Sequence, residues 1–193
     1  HRGHEHIQKL SLEISSSDAI LISPVTGLKK SGDFSSEVII ACYEKLIESG
    51  FYNPNKVLLS TFNTYSRYSG PREAVFTAIC RKNFGCNYFI VGRDHTGVGS
   101  YYDPNESQKI FDSLDLGIKV LFFNQASYCN KRKIITTEFE KPRYKNSQLE
   151  LSGTIIRDLI RSGKEVPNYL IEPSLAKILK KLYKDKSKSV FIN

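Results

Sequence analysis

The chain has no run of apolar residues approaching the roughly 18 to 20 that a membrane-spanning helix needs, so a helical membrane protein is excluded. Its four cysteines, Cys42, Cys80, Cys86 and Cys129, form no Cys-x-x-Cys pair. Neither a zinc knuckle nor a dithiol redox motif is therefore written here. Cys42 and Cys80 fall within apolar helical patterns and read as small core residues, which suits a reducing cytoplasm. Methionine is absent altogether, and the chain opens on the polar run His1-Arg-Gly-His4-Glu-His. That start is not a secretory signal, and the chain reads as a fragment of a longer protein whose upstream part would include a strand feeding His1. Repeats and low-complexity linkers are also missing.

Acidic residues are in the minority, 20 against 28 Lys plus Arg, for a formal charge of +8. The excess fits anionic ligands. Much of it is terminal, however: Lys177, Lys180, Lys181, Lys184, Lys186 and Lys188 fall in the last 17 residues. A single aromatic, Tyr183, falls among them, too few for a row of stacking platforms. A solvated basic helix face explains them, and no nucleic-acid partner is expected.

With 193 residues, 40% of them hydrophobic, the chain can form one α/β domain with a substantial core. Short apolar runs at 18–23, 56–61, 87–91 and 119–123 read as strands buried on both faces. Helical patterns at 4–16, 35–49, 71–83 and 106–114 separate them, with Pro71 suited to a first helical turn. This alternation predicts a doubly wound, mostly parallel sheet. Residues 125–150 read as a loop or short hairpin, 154–162 and 173–183 as two further helices, and 184–193 as a fraying end. The division expected is an α/β unit over 1–150 followed by a small helical part over 151–193.

Ligands of such sheets bind at the carboxyl ends of the strands, and three of the segments that follow strands are glycine-bearing and rich in anion-holding groups. These are Pro24-Val-Thr-Gly-Leu-Lys-Lys-Ser-Gly-Asp33, Tyr65-Ser-Arg-Tyr-Ser-Gly-Pro-Arg-Glu73 and Gly92-Arg93-Asp94-His95-Thr96-Gly97-Val-Gly99. At the other end of the argument stands His1-Arg-Gly3-His4, two imidazoles three residues apart where a helix begins. Gly3 would let backbone approach a phosphate, and the helix dipole would favour an anion. Ser152-Gly-Thr154-Ile-Ile-Arg157 supplies a capped helix start with a guanidinium one turn on. Taken together, these pieces suit attack on the α-phosphorus of a nucleotide, where charge builds on phosphate oxygens and departing pyrophosphate.

The pairing of His-x-Gly-His with a late Ser-x-Thr-x-x-Arg resembles the nucleotidyltransferase superfamily, whose Rossmann-like fold is then expected. More specifically, Gly92-Arg-Asp-His-Thr-Gly97 resembles the Gly-Arg-Asp-His-Ala-Gly loop of ATP sulfurylase (sulfate adenylyltransferase). Arg67-Tyr-Ser-Gly-Pro-Arg-Glu-Ala74, Arg81-Lys-Asn-Phe-Gly-Cys86, His1 to Leu12 and Leu151 to Arg157 are similar to further segments of that family, in order along most of the chain. The resemblance implies transfer of the adenylyl group of ATP to sulfate, with Mg2+ arriving on the nucleotide. By the same resemblance His1, His4 and Arg93 are catalytic. Gly3, Gly92, Asp94, His95, Ser152, Thr154 and Arg157 would hold the nucleotide, and Thr96 and Gly97 would lie beside the acceptor.

Three departures matter. The family's Gln-x-Arg-Asn segment, which grips sulfate and should precede His1, is not in this sequence. Thr96 stands where the family usually has Ala, which leaves open another small oxyanion such as a phosphonate. A cysteine-rich insertion found in many bacterial members is reduced to Tyr128-Cys129, so no protein-held metal is expected. A noncatalytic nucleotide-binding domain is the alternative reading, and a homo-oligomer is left open.

Overall fold

The computed structural model describes residues 1–92, 103, 106–137, 146–185 and 189–192. Helix α1 runs from Arg2 to Ser15 and stops where Ser16 turns left-handed at φ 52°, its N–H returning to the Glu13 carbonyl. Strand β1 (Ile20–Ile22) leads to α2 (Ser36–Glu48), which starts because the Ser35 hydroxyl accepts from the Val38 N–H. Strand β2 (Val57–Leu59) precedes α3 (Pro71–Asn83), with Pro71 in the first turn as expected. Strand β3 (Tyr88–Val91), the short helix α4 (Glu106–Lys109) with its 3-10 continuation to Ser113, and strand β4 (Lys119–Phe122) follow. Strands β5 (Ser127–Cys129), β6 (Ile134–Thr136) and β7 (Gln148–Glu150) lead to helices α5 (Gly153–Arg161) and α6 (Pro173–Lys184). No helix among the described residues is long and apolar enough to cross a membrane.

The α/β class and the parallel pairing follow the pattern of the sequence. β1 lies parallel to β2, with Ile20 opposite Val57, and β3 parallel to β4, with Tyr88 opposite Lys119. Among the described residues the parallel strands form these two pairs rather than one continuous sheet. Each pair has its own core. One centres on Ile22, Val38, Leu46, Ile156, Ile160 and Leu179, the other on Ala74, Ala78, Phe89, Val91 and Ile118. Residues on both sides of position 150 contribute to the first core, which therefore joins α5 and α6 to the strands.

Three expectations are corrected. Strands buried on both faces were expected from their continuous apolar runs, yet Leu58 is 61% exposed and Phe122 44% exposed. A continuous apolar run reports strand propensity without saying which face is covered. Residues 127–150 contain a three-stranded antiparallel sheet in the order β6-β5-β7, whose three-residue strands are too short to show an alternation. The chain end is also anchored: Val190 is 4% exposed, and Phe191 bridges to Phe34 in antiparallel fashion.

Beyond β1 the backbone stays alongside the segment beyond β2. Ser60 N–H donates to the Ile22 carbonyl at 3.0 Å, Phe62 to Pro24 at 2.8 Å, and Thr26 to Phe62 at 3.0 Å. Gly27 is required by this approach, because a Cβ there would sit 2.0 Å from the Thr64 carbonyl oxygen. Gly27→Ala must displace backbone and is expected to cost about 2–4 kcal/mol of stability. Denaturant unfolding at unchanged midpoint would contradict this packing. Glu73, buried in the first turn of α3, accepts from the Arg67 N–H at 2.9 Å and the Ser69 N–H at 3.1 Å. It thereby fixes the loop that precedes its own helix.

Candidate active site

Two helix starts meet at one cleft of about 290 Å³, where His1, His4, Glu5 and Arg157 stand over a largely apolar lining that includes Phe34, Val38, Leu46, Leu175 and Leu179. The first start belongs to α1. Its first residue is tied down by the Arg2 N–H, which donates to the Leu170 carbonyl at 2.9 Å, while His1 offers no side-chain cap. The positive end of the helix dipole is therefore not neutralised by the residue that precedes it. The rings of His1 and His4 stack at 3.9 Å between centroids and 23° between planes, as three-residue spacing on a helix allows. Gly3 explains how they fit: a Cβ there would lie 3.0 Å from the His1 ring and 3.2 Å from the Ala126 Cβ. The space Gly3 leaves is thus taken by protein.

His4 is an exposed residue that lines the cleft and carries the His1 ring against its own. Its pKa is lowered from 6.5 to about 4, chiefly by loss of solvation. The sign follows from which form the fold disfavours. The neutral ring is accommodated freely above pH 6.5, and stability falls as the pH drops from there toward 4, where the folded state resists protonation that the unfolded chain accepts. An acid titration of folding should therefore lose less stability in His4→Gln than in the wild type over that window; superimposable curves would contradict the assigned direction. An anion bound in the cleft would oppose this shift and favour the imidazolium.

The second start belongs to α5. The Ser152 hydroxyl accepts from the Thr154 N–H at 3.2 Å, so Ser152 is a helix cap. The Thr154 hydroxyl is exposed and accepts from Arg157 Nη2 at 2.9 Å. On its other arm, Arg157 Nη1 lies 3.4 Å from Asp33 Oδ1, the two side chains being 18% and 22% exposed. Asp33 is masked in the sequence by the two lysines shortly before it, in a segment that reads as cationic. The available signal was a lone carboxylate after Ser-Gly at the carboxyl end of a strand.

The structure thus brings His1, His4 and Arg157 together, with Gly3, Ser152 and Thr154 supporting them. Gly92 ends β3, is half-buried, and would meet nothing within 4 Å if it carried a Cβ; it does not line this cleft. Arg93, Asp94, His95, Thr96 and Gly97 lie outside the described residues. Cys42 also borders the cleft, but burial pushes its thiol up to about 11, so it stays protonated and is no nucleophile. No group of three or more His, Cys, Asp or Glu among the described residues is arranged to hold a metal ion. A larger cavity of about 480 Å³ lies against α1 by Arg2, His6, Lys9 and Tyr169. It borders the first turn of α1 at Arg2 but not α5, and neither His1, His4 nor Arg157 lines it, so the smaller cleft is the better candidate.

Comparison with known proteins agrees with the motifs. A family model described as ATP-sulfurylase matches residues 1–182. Sulfate adenylyltransferase of Cenarchaeum symbiosum is 44% identical over 180 residues, covering 93% of this chain and 47% of that protein. The protein of the same name from Staphylothermus marinus is 46% identical over 180 residues, again 93% of this chain and 46% of the relative. That from Carboxydothermus hydrogenoformans is 41% identical over 186 residues, 95% and 48% respectively. The chain therefore spans about half the length of the curated relatives it matches. Among solved structures, a hexameric APS kinase from Thiobacillus denitrificans aligns with a TM-score of 0.66 at 19% identity, over 94% of this chain and 33% of that one. At that identity the likeness concerns the fold.

Proposed function

This chain belongs to the ATP-sulfurylase family, and from that premise we propose that it carries the nucleotide-phosphate site of an enzyme that transfers the adenylyl group of ATP to sulfate. A sulfate oxygen forms a bond to the α-phosphorus while the bond from that phosphorus to the bridging oxygen of the β-phosphate breaks. The products are adenosine 5′-phosphosulfate and pyrophosphate. Sulfate is already an anion, so no base has to remove a proton, and positioning and charge neutralisation are the protein's tasks.

The observation that carries this reading is the convergence of His1, His4 and Arg157 on one cleft from opposite ends of the chain. Its volume, about 290 Å³, sits near the lower end of small-ligand sites and suits a phosphate chain more than a whole nucleotide. Imidazole N–H groups of His1 and His4 donate to phosphate oxygens, and the stacking of the two rings fixes their directions. Arg157, oriented by Thr154, meets the leaving phosphates. Arg93 and His95 would complete the ring of donors, and Thr96 and Gly97 would face the acceptor, as the family resemblance implies. Mg2+ comes with ATP and neutralises its phosphate oxygens. Among the described residues the acid lining the cleft is Glu5 alone, which fits a metal carried by phosphate and water rather than by a protein cage. Four free cysteines among the described residues support a reducing cytoplasm.

The test is pyrophosphate release from Mg-ATP by the full-length protein, coupled to pyrophosphatase because the equilibrium opposes product. Release that depends on sulfate is expected. Release only with another small oxyanion would reassign the acceptor, and ATP binding without any release would make this a regulatory domain.

A further inference from the structure

Asp33 has no role in the reading above, yet among the described residues it is the carboxylate that pairs with the guanidinium of Arg157, at 3.4 Å. The backbone around it is held from two directions. On one side, Gly32 N–H donates to the Ile192 carbonyl at 2.8 Å, Ile192 N–H to the Asp33 carbonyl at 2.8 Å, and Ser35 N–H to the Val190 carbonyl at 2.9 Å. The rings of Phe34 and Phe191 stack at 5.2 Å, and Val190 is buried. On the other, Arg161 of α5 donates to the Gly32 carbonyl at 2.8 Å and lies 4.3 Å over the Phe191 ring. Residues 189–192 thus form a strap across the loop that carries Asp33. They fall beyond residue 182, the last position matched by the family model, so the strap is read from this chain's own contacts.

A guanidinium at the edge of a cleft has many rotamers, and a clamp that must be frozen on ligand binding loses affinity to that freezing. Here the Thr154 hydroxyl takes Nη2 and the Asp33 carboxylate takes Nη1. The group is set before any ligand arrives. Its contact with Asp33 is through one oxygen only at 3.4 Å, longer than a strong charge-assisted hydrogen bond, so donor capacity remains for a phosphate. We propose that Asp33 is the positioning residue for Arg157, and that residues 190–192 strap Asp33 in place, so that the C-terminal segment sets the phosphate clamp. This rests on the reading of Arg157 as a ligand of the ATP phosphates.

The test measures the dissociation constant of Mg-ATP by calorimetry and the steady-state constants of pyrophosphate release, both on the full-length protein. Asp33→Asn is expected to raise Kd and KM for ATP about tenfold, with KM for sulfate changed less than twofold. Asp33→Glu should recover part of the loss. Phe191→Ala, which touches neither Arg157 nor the cleft, should raise Kd for ATP severalfold, and the double variant should be little worse than Asp33→Asn alone, because both act through one contact. Tighter ATP binding in Asp33→Asn would show a mere counter-ion that ligand must displace, and would overturn the proposal. So would unchanged ATP binding in Asp33→Asn, or strictly additive effects in the double variant. Wild-type ATP binding without sulfate-dependent release would defeat the adenylyl-transfer reading while leaving the Asp33 effect on Kd fully readable; no ATP binding at all would defeat both.

Discussion

Replacing His4 by alanine is expected to lower kcat for pyrophosphate release by about 100- to 1,000-fold, the scale for removing one donor from a developing charge. The fold should survive, because His4 is exposed and its ring contact is with His1. The reason for so large an effect is geometric. Helical spacing stacks His1 and His4, so the loss of His4 removes one donor and also the surface that orients the other. His4→Asn, which keeps an N–H donor on a shorter reach, should recover only a fraction. Steady-state kinetics beside a thermal melt decides the matter: near-normal kcat in a folded His4→Ala protein would remove this helix start from the reaction.

The second large effect is expected at Arg157. Arg157→Ala should reduce kcat/KM for ATP by about 100-fold or more, since a guanidinium that faces phosphate in a partly desolvated cleft carries a charge-assisted bond with little competition from water. The same change leaves Asp33 without its cation, so the cleft gains uncompensated negative charge where an anion must bind. Arg157→Lys separates these two consequences. It keeps a positive charge but has no planar fork to reach Thr154 and Asp33 together. Activity in the lysine variant close to wild type would mean that charge alone matters there and that the fork geometry is incidental.

Much of this architecture could be read from the chain itself. Pro71 predicted the start of α3 because proline loses nothing in a first turn, and the helix spans Pro71–Asn83 as expected. The four strand positions were legible from their apolar runs. What the runs did not carry was partnership: Leu58 and Phe122 are as apolar as their neighbours, yet face outward. The antiparallel sheet of β5, β6 and β7 was hidden because each strand is three residues long, below the length at which alternation shows. Val190 to Ile192, read as a fraying end, is anchored by long-range backbone bonds to residues 32–35, which no local pattern can announce.

The site divides in the same way. His1, His4 and Arg157 were legible because two short motifs at opposite ends of the chain make sense only if the fold joins them, and the cleft joins them. Ser152 stands as the helix cap its motif suggested, its hydroxyl accepting from the Thr154 N–H. Gly3 was read as room for a phosphate, while that room holds the His1 ring and Ala126. At Gly3 the residue type was informative and the neighbour was not, since glycine serves ligands and side-chain packing equally well. Asp33 is the converse case: its importance lies in a side chain 124 positions away, and only the fold brings the two to 3.4 Å.

The most direct measurement is an NMR titration of the full-length protein with Mg-ATP, following the imidazole signals of His1 and His4 and the backbone amides of Gly153 and Thr154. The account predicts that these shift together and saturate at one dissociation constant, with both imidazoles moving toward the protonated form as phosphate enters the cleft. Shifts confined to Arg2, His6, Lys9 and Tyr169, around the larger cavity, with His4 and Thr154 unmoved, would contradict it.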